Sequence, residues 1–285
     1  MVKNNVKIIL TDSDEMKHIR QAVDEKYTKD YVRLFSNKLE FPYLNLKLTD
    51  VSDMGLIHHF HKSIYTASRK GKLSPINAWQ DKNLVKEIAL NRLKYVGKCR
   101  PSDILQGFNV TLKAPKVSVF SPDIAFKLIN RYLNDCKTIV DPFSGFSGRM
   151  IACEKAMKNY VGYDINKIHV EESNCLKDFK KFKNSNIYVR DVLSDFSMET
   201  YDALFTCPPY GGKEHWNENK DEIEKSCDEW IDVCLDKFDC QKYLFVVDKT
   251  DKYKDKVVEI IEKNSHFGVR KEYVVLLYKD KFKLF

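Results

Sequence analysis

The sequence predicts an α/β fold whose second part is a Rossmann-like, mostly parallel sheet that ends in an antiparallel hairpin. From residue 138 onwards, short apolar stretches alternate with amphipathic ones, which is typical of strands alternating with crossover helices. Three successive strand-like stretches end in aspartate, a residue common where a strand turns into a helix. The stretches 266–269 and 272–278 are strand-like on both sides of a short turn, which predicts the hairpin.

The individual elements follow from local patterns. Ser121 followed by Pro122 is typical of a helix start, and the helix that it opens leads into the first strand. A helix is predicted near 226–239, because Trp230, Ile231 and Cys234 recur at helical spacing on one face. A charged helix is predicted from about 251 to 264. Strands are predicted at 138–141, 160–164, 186–191, 201–206 and 242–248.

Charge divides the chain into two parts. Residues 1–115 contain 20 Lys and Arg against 12 Asp and Glu, a net of +8, whereas the remainder contains 28 against 29. We therefore expect a basic N-terminal α+β module at 1–115 and a second domain at 116–285. Helical stretches near 13–36 and 82–95 and a loop at 69–75 are predicted in the module. A basic module suits a polyanionic partner such as nucleic acid.

Composition excludes several classes of protein. No apolar run approaches the roughly 20 residues of a membrane span, and the first residues lack the pattern of a secretory signal. A cytoplasmic protein is expected. The eight cysteines form no CxxC pair, which favours reduced thiols and no metal site. The HHFH run at 58–61 has no nearby cysteine or carboxylate cluster with ligand spacing, so a solvated or partly buried helix is expected there.

The stretch DPFSGFSGR at 141–149 lies where the first strand meets a helix, the place where open α/β sheets bind ligands. Gly145 and Gly148 allow a tight turn and a close approach to a ligand. Asp164 ends the second strand, 19 residues after Gly145, and Asp191 ends the third. Carboxylates at 141, 164 and 191 suit an amino group, a ribose and an adenine amine, and the GxGxxG and GxxxxGKS patterns are missing. A nucleoside ligand is predicted.

The stretch TCPPY at 206–210 ends the fourth strand, and its two prolines leave carbonyl groups as acceptors without competing amides. A nucleobase amine is a poor nucleophile because its lone pair is delocalised into the ring. Hydrogen bonds from this amine to the Pro208 carbonyl and to the side chain of Cys207 would draw the lone pair out of the plane. Tyr210 would stack on the extracted base.

DPFSGFSGR, GYDIN and TCPPYGG, in this order, resemble motifs of the amino-methyltransferases that make N4-methylcytosine or N6-methyladenine in DNA. The resemblance covers about 120–285. It implies a class I methyltransferase sheet, S-adenosylmethionine as cofactor, double-stranded DNA as partner with the target base flipped out of the helix, and association with a restriction endonuclease. The implied catalytic residues are Cys207, Pro208, Pro209 and Tyr210. The implied cofactor-binding residues are Phe120, Ser121, Asp141, Pro142, Phe143, Gly145, Asp164, Ile165, Asp191 and Val192.

Two departures from the family pattern concern these motifs. Cys207 stands where the family usually has Asp, Asn or Ser, and a thiol is a weak acceptor. Because cysteine is closest in size to serine, N4 of cytosine is favoured slightly over N6 of adenine. Ser147 stands where many members have glycine, which predicts a variant turn.

Other functions stay open at this point. A similar PPY tetrad serves RNA base methyltransferases, for example on a guanine amine in transfer RNA. A catalytically silent nucleic-acid-binding protein of the same fold, or an enzyme acting on a glutamine amide, are further alternatives. Candidate nucleic-acid contacts are Arg69, Lys70 and Lys72 in the predicted loop, and Trp216 after the tetrad.

Overall fold

A computed structural model describes residues 51–68, 72–96, 100–114, 117–209, 225–265 and 268–279. These residues fall into two compact units. One unit lies within 64–117, and the other comprises 51–63 together with the described residues from 118 onwards. The predicted boundary at 115/116 is close to the second junction, but 51–63 belongs with the later unit. The predicted helix at 13–36 lies outside the described residues.

The described residues form nine α-helices and seven strands. The helices are α1 (Asp53–Phe60), α2 (Ser63–Thr66), α3 (Pro75–Gln80), α4 (Lys82–Val96), α5 (Pro101–Val110), α6 (Pro122–Tyr132), α7 (Gly148–Lys155), α8 (Lys167–Lys180) and α9 (Cys227–Lys237). The strands are β1 (Thr138–Asp141), β2 (Asn159–Asp164), β3 (Ser185–Val189), β4 (Glu199–Thr206), β5 (Phe238–Val247), β6 (Val257–Ser265) and β7 (Gly268–Tyr278).

The unit within 64–117 is helical in its described part. Ser74 caps α3 by accepting from the Asn77 amide at 3.2 Å, and Pro75 takes the first helical position. Helices α4 and α5 approach closely at Gly107, where a Cβ atom would lie 2.3 Å from the Ile88 side chain. The predicted helix at 82–95 is confirmed as α4.

The other unit contains one seven-stranded sheet in the order β3-β2-β1-β4-β5-β7-β6. Strands β1 to β5 are parallel to one another, and β7 runs antiparallel to both β5 and β6. This confirms the predicted fold class, a Rossmann-like, mostly parallel α/β sheet with a C-terminal antiparallel hairpin. The strand order reverses between β1 and β4, and ligands of open α/β sheets bind outside the carboxyl ends of the strands at such a point.

The last third of the sheet corrects one prediction. The charged helix expected at 251–264 is wrong, because a short 3-10 turn at Lys254–Lys256 is followed by strand β6. Strand β6 begins with the sequence VVEII, in which four of five residues are β-branched and favour a strand over a helix. The hairpin is therefore β6 with β7, which pair from Val257 opposite Val275 to Ser265 opposite Gly268.

None of the described helices has the length and apolar character needed to cross a bilayer. The predicted buried face of α9 is confirmed, since Trp230, Ile231 and Cys234 are buried. In the centre of the sheet, Val140 of β1, Leu204 of β4 and Phe245 of β5 are fully buried. This core fixes the carboxyl ends of the strands, from which the candidate site is built.

Candidate cofactor and active site

A cavity of about 180 Å³ lies at the carboxyl edge of the sheet, within the unit that contains it. Its walls come from the segment before α6, the loop after β1 and the ends of β2, β3 and β4, with further residues from α9 and the β6–β7 hairpin. It brings together most of the residues that the sequence predicted. These are Phe120, Pro142, Phe143, Gly145, Asp164, Ile165, Asp191, Val192, Cys207, Pro208 and Pro209.

The glycine-rich turn uses its glycines for conformation and for space. Gly145 has a φ of 54°, and its amide donates to Asp164 Oδ2 at 2.9 Å. Gly148 begins α7, and a Cβ atom there would lie 2.1 Å from the carbonyl oxygen of Phe120. The turn is thus fixed both to the end of β2 and to the segment before α6.

Ser147 adopts the left-handed backbone conformation with a φ of 64°, which residues other than glycine rarely adopt. Its hydroxyl is buried and lies 2.8 Å from both His61 Nε2 and Ser173 Oγ. On the other side of the imidazole, His61 Nδ1 lies 3.3 Å from a Glu172 carboxylate oxygen. Burial lowers the pKa of His61. The predicted variant turn is therefore held by hydrogen bonds from α8 and from the residue after α1.

This contact also explains the HHFH run. His61 is fully buried and His58 is buried at the end of α1. Among the described residues, no group of three or more His, Cys, Asp or Glu side chains is arranged to hold a metal. The run supports the glycine-rich turn through its last histidine.

Asp141 differs from its prediction as a cofactor ligand. Its carboxylate is fully buried and does not line the cavity. It accepts from Arg149 Nε at 2.7 Å, from the Tyr160 hydroxyl at 2.8 Å and from the Thr206 hydroxyl at 2.6 Å. Burial lowers the pKa of Arg149, but the neighbouring Asp141 carboxylate outweighs that effect and raises it overall. Asp141 thus joins the end of β1 to Tyr160 of β2 and to Thr206 at the end of β4.

Ser121 also differs from its prediction. Its hydroxyl caps α6 by accepting from the Ile124 amide at 3.4 Å, and it does not line the cavity. The residues before it, Ser118, Val119 and Phe120, line the cavity instead. The N-cap prediction made for Ser121 is confirmed.

The end of the cavity near β2 and β3 suits a nucleoside. Asp164 accepts from the Asn166 amide at 2.8 Å in addition to Gly145, and His169 Nδ1 lies 3.5 Å from Asp164 Oδ1. These contacts hold a carboxylate at the position where a ribose would be bound. Ile165 and Leu193 line the same cavity with exposed apolar side chains, which suit the faces of a planar base.

Two buried polar atoms in the cavity wall favour a polar ligand. Ser144 Oγ and Trp230 Nε1 are buried without a hydrogen-bond partner in the described part of the chain. Buried polar groups are normally hydrogen-bonded, so a bound molecule is the natural partner for both atoms. Together with Asp164, Ile165 and Leu193, these residues fit S-adenosylmethionine, which carries a ribose, an adenine and a charged amino-acid end.

Cys207, Pro208 and Pro209 follow β4 directly and also line the cavity. The hydrogen bond from Thr206 to Asp141 anchors the start of this segment. Phe120 packs edge-to-face on Phe205 with ring centres 6.0 Å apart. The catalytic candidate Tyr210 lies outside the described residues.

Of the four predicted nucleic-acid contacts, only Lys72 lies within the described residues. Lys72 is exposed in the loop before α3, in the unit within 64–117. Arg69, Lys70 and Trp216 lie outside the described residues.

One family model and one curated relative match part of the chain. A sequence profile of the family described as RNA cap guanine-N2 methyltransferase matches residues 136–266. A tRNA (guanine(10)-N2)-dimethyltransferase from Methanocaldococcus jannaschii is 30% identical over 124 residues, which are 40% of this chain and 34% of that protein. The chain thus spans about a third of this relative. Both the family and this relative are described as guanine-N2 methyltransferases.

Solved structures that resemble the chain include two RNA methyltransferases. The tRNA (uracil-54, C5)-methyltransferase of Pyrococcus abyssi, in complex with S-adenosyl-L-homocysteine, has a TM-score of 0.39 at 15% identity, over 54% of this chain and 38% of that one. An rRNA methylase from Streptococcus thermophilus has a TM-score of 0.38 at 11% identity, over 57% of this chain and 99% of that one. The matched family and the cavity support the predicted cofactor class, S-adenosylmethionine.

Sequence reasoning missed several residues that line the cavity. Ser144 was not singled out within the glycine-rich stretch, and Trp230 was predicted only as part of the buried face of a helix. Lys263 and Glu272 stand on the hairpin, and Lys263 was placed in the wrongly predicted helix. One signal was available for Glu272, because it is a carboxylate that directly precedes an apolar strand segment, YVVLLY.

Proposed function

We propose that this protein is an S-adenosylmethionine-dependent methyltransferase that acts on the exocyclic N2 amine of guanine in RNA. The observation that carries the proposal is the family match at 136–266, because that stretch contains the glycine-rich turn, Asp164, Asp191 and the segment Cys207–Pro209. Both the cofactor end and the acceptor end of the cavity thus belong to the region of similarity. The proposal takes up the RNA alternative of the sequence analysis in preference to DNA.

The segment Cys207–Pro209, which we call the acceptor wall, suits this reaction. When bound, S-adenosylmethionine supplies an electrophilic methyl group. The guanine N2 amine is delocalised into the ring and must be oriented before it can attack. The Pro208 carbonyl has no competing amide from Pro209 and is available to accept one N–H of the amine. Cys207 adds a weak acceptor beside it.

Large aromatic side chains form part of the cavity wall. Phe120, Phe143 and Trp230 contribute large aromatic surfaces to its walls, and Phe143 packs edge-to-face on Trp230 with ring centres 5.1 Å apart. In such a site the main contribution to the rate is the positioning of the amine in line with the methyl group. The proton that the amine loses after transfer passes to solvent.

The basic balance of residues 1–115 supports a nucleic-acid substrate. Its net charge of +8 follows from 20 basic and 12 acidic side chains. Such a segment attracts the phosphate backbone of RNA or DNA without regard to sequence, so it supplies affinity rather than the choice between them.

The test is transfer of tritiated methyl from S-adenosylmethionine to three pools in parallel: transfer RNA, capped messenger RNA and duplex genomic DNA. Labelled nucleosides are then separated. We expect N2-methylguanosine from RNA. Asp164→Asn should abolish the label by weakening cofactor binding, whereas Asp236→Asn on the exposed face of α9 should have no effect. Label confined to N4-methylcytosine or N6-methyladenine in DNA would contradict the proposal, as would cofactor binding without any transfer.

A further inference from the structure

Three charged side chains of the β6–β7 hairpin lie on one face of the sheet, at its carboxyl edge. Lys263 pairs with Arg270 across the two strands, and Glu272 follows two residues later, so the three side chains point the same way. Lys263 Nζ lies 2.6 Å from Glu272 Oε2, and Arg270 lies 3.8 Å from Glu272 Oε1. They form a cluster that we call the hairpin triad.

Two members of the hairpin triad line the same cavity as the segment after β4. Lys263 and Glu272 line the cavity that Cys207, Pro208 and Pro209 also line. Lys263 Nζ lies 5.8 Å from the centre of the Phe120 ring, which also lines the cavity. None of these charges takes part in the contacts that hold the Asp164 carboxylate at the end of β2.

Glu272 stands out because only 2% of its surface is exposed. Removing a carboxylate from water is costly, and the attraction of a nearby cation does not always compensate for it. An ion pair that served only to join two strands would be as effective on the solvent side of the hairpin, where Glu262 and Lys271 form one. The placement of Glu272 in the wall of the cavity therefore points to a ligand.

We propose that Glu272 reads the Watson–Crick edge of the target guanine, with Lys263 beside it as the donor to O6. This inference rests on the proposed function. Guanine presents two adjacent donors, N1–H and N2–H, and a carboxylate presents two acceptors. Adenine and cytosine each place a ring-nitrogen acceptor beside their amine, and a carboxylate repels it. Glu272 thus selects guanine and positions the N2 amine near the Pro208 carbonyl.

The discriminating variant is Glu272→Gln, because it keeps the size of the side chain and turns one acceptor into a donor. The amide matches the donor and acceptor pair of adenine or cytosine and opposes N1–H of guanine. We expect kcat/KM for guanine methylation in RNA to fall by about ten-fold or more, and the share of label in adenine or cytosine to rise. The affinity for S-adenosylhomocysteine, measured by calorimetry, should stay within about two-fold of wild type.

The matched control is Glu262→Gln. It makes the same change on the same hairpin, at a side chain that is 58% exposed and paired with Lys271 at 3.5 Å. It should behave as wild type in every measurement. Lys263→Met is the second variant, and it decides the matter if Glu272→Gln fails to fold. It should lower guanine transfer without weakening cofactor affinity.

Each outcome has one meaning. If wild type makes N2-methylguanosine and Glu272→Gln does so at the wild-type rate, the inference fails while the proposed function stands. The inference also fails if Glu272→Gln folds but loses cofactor affinity, because Glu272 would then serve the cofactor. Unchanged guanine transfer by Lys263→Met would overturn it where the first variant is unfolded. Wild-type label in adenine or cytosine alone overturns both proposals.

Discussion

The substitution Asp141→Asn tests whether this aspartate supports the site or binds the cofactor. Asp141 and Arg149 form an ion pair whose side chains are 0% and 5% exposed. Asparagine keeps the shape but removes the charge, which leaves the guanidinium buried without its counter-ion. Breaking one side of a buried pair costs about 3–5 kcal/mol. The hydroxyls of Tyr160 and Thr206 also lose a charged acceptor, so we expect a loss of about 4 kcal/mol of unfolding free energy.

This loss is large enough to measure without ligand. In a domain of this size each kcal/mol lowers the Tm by roughly 2–4 °C, so the variant should melt roughly 8–16 °C below wild type. Thermal unfolding followed by circular dichroism gives the Tm, and urea unfolding gives the free energy. S-adenosylhomocysteine affinity is measured at a temperature where both proteins are folded.

The control is Asp251→Asn, because Asp251 pairs with Lys249 while both side chains are more than 70% exposed. An exposed pair contributes little, and no change in Tm is expected. The reasoning is refuted if Asp141→Asn keeps the wild-type Tm. If it then binds S-adenosylhomocysteine weakly, Asp141 is the cofactor ligand that the sequence predicted.

Three further predictions concern the turn and the acceptor wall. Ser147→Ala keeps the left-handed backbone and loses both hydrogen bonds of the hydroxyl, so urea unfolding should show a loss of about 1–3 kcal/mol, and equal stability would contradict the role given to His61. Burial lowers the pKa of His61 below its ordinary 6.5, so the unfolded chain takes up the proton first and stability falls as the pH drops below about 6.5. His61→Gln should flatten this dependence in urea unfolding between about pH 7 and pH 5, and an unchanged slope would contradict the assignment. Tyr210→Ala should abolish methyl transfer and leave S-adenosylhomocysteine affinity nearly intact by calorimetry, whereas lost affinity would mean that the acceptor wall is wrongly placed.

The sequence predicted the position of two carboxylates at the ends of strands. Asp164 and Asp191 line the cavity because parallel strands deliver their carboxyl ends to one edge, which the alternation of strands and helices already implies. Asp141 obeys the same rule and still differs, since its carboxylate turns inward to Arg149, eight residues later. The pattern of strands and helices does not show that Arg149 is buried, and this buried cation is what turns the Asp141 carboxylate towards the core.

Contacts between distant segments were beyond the reach of local patterns. Ser147 was identified as a departure from glycine, but its partner His61 is 86 residues earlier in the chain. The same limit applies to 51–63, which belongs with the sheet-containing unit although the charge pattern joins it to the basic segment. The β6 strand was missed for another reason. Its charged residues suggested a solvent-exposed helix, but the residues of β6 pair with β7 across the hairpin, and these pairs stabilise a strand.

The weak acceptor at Cys207 and the buried carboxylate at Glu272 bear on one problem. An amine must be held by acceptors before its lone pair can attack, and a thiol contributes little to this. Cys207, Pro208 and Glu272 line one cavity, so the acceptor that the tetrad lacks is present on the neighbouring hairpin. A carboxylate there also disfavours bases that show a ring acceptor beside their amine. Cys207 favoured cytosine as the target base when the sequence was considered alone. Together with Glu272 on the hairpin, it fits guanine better.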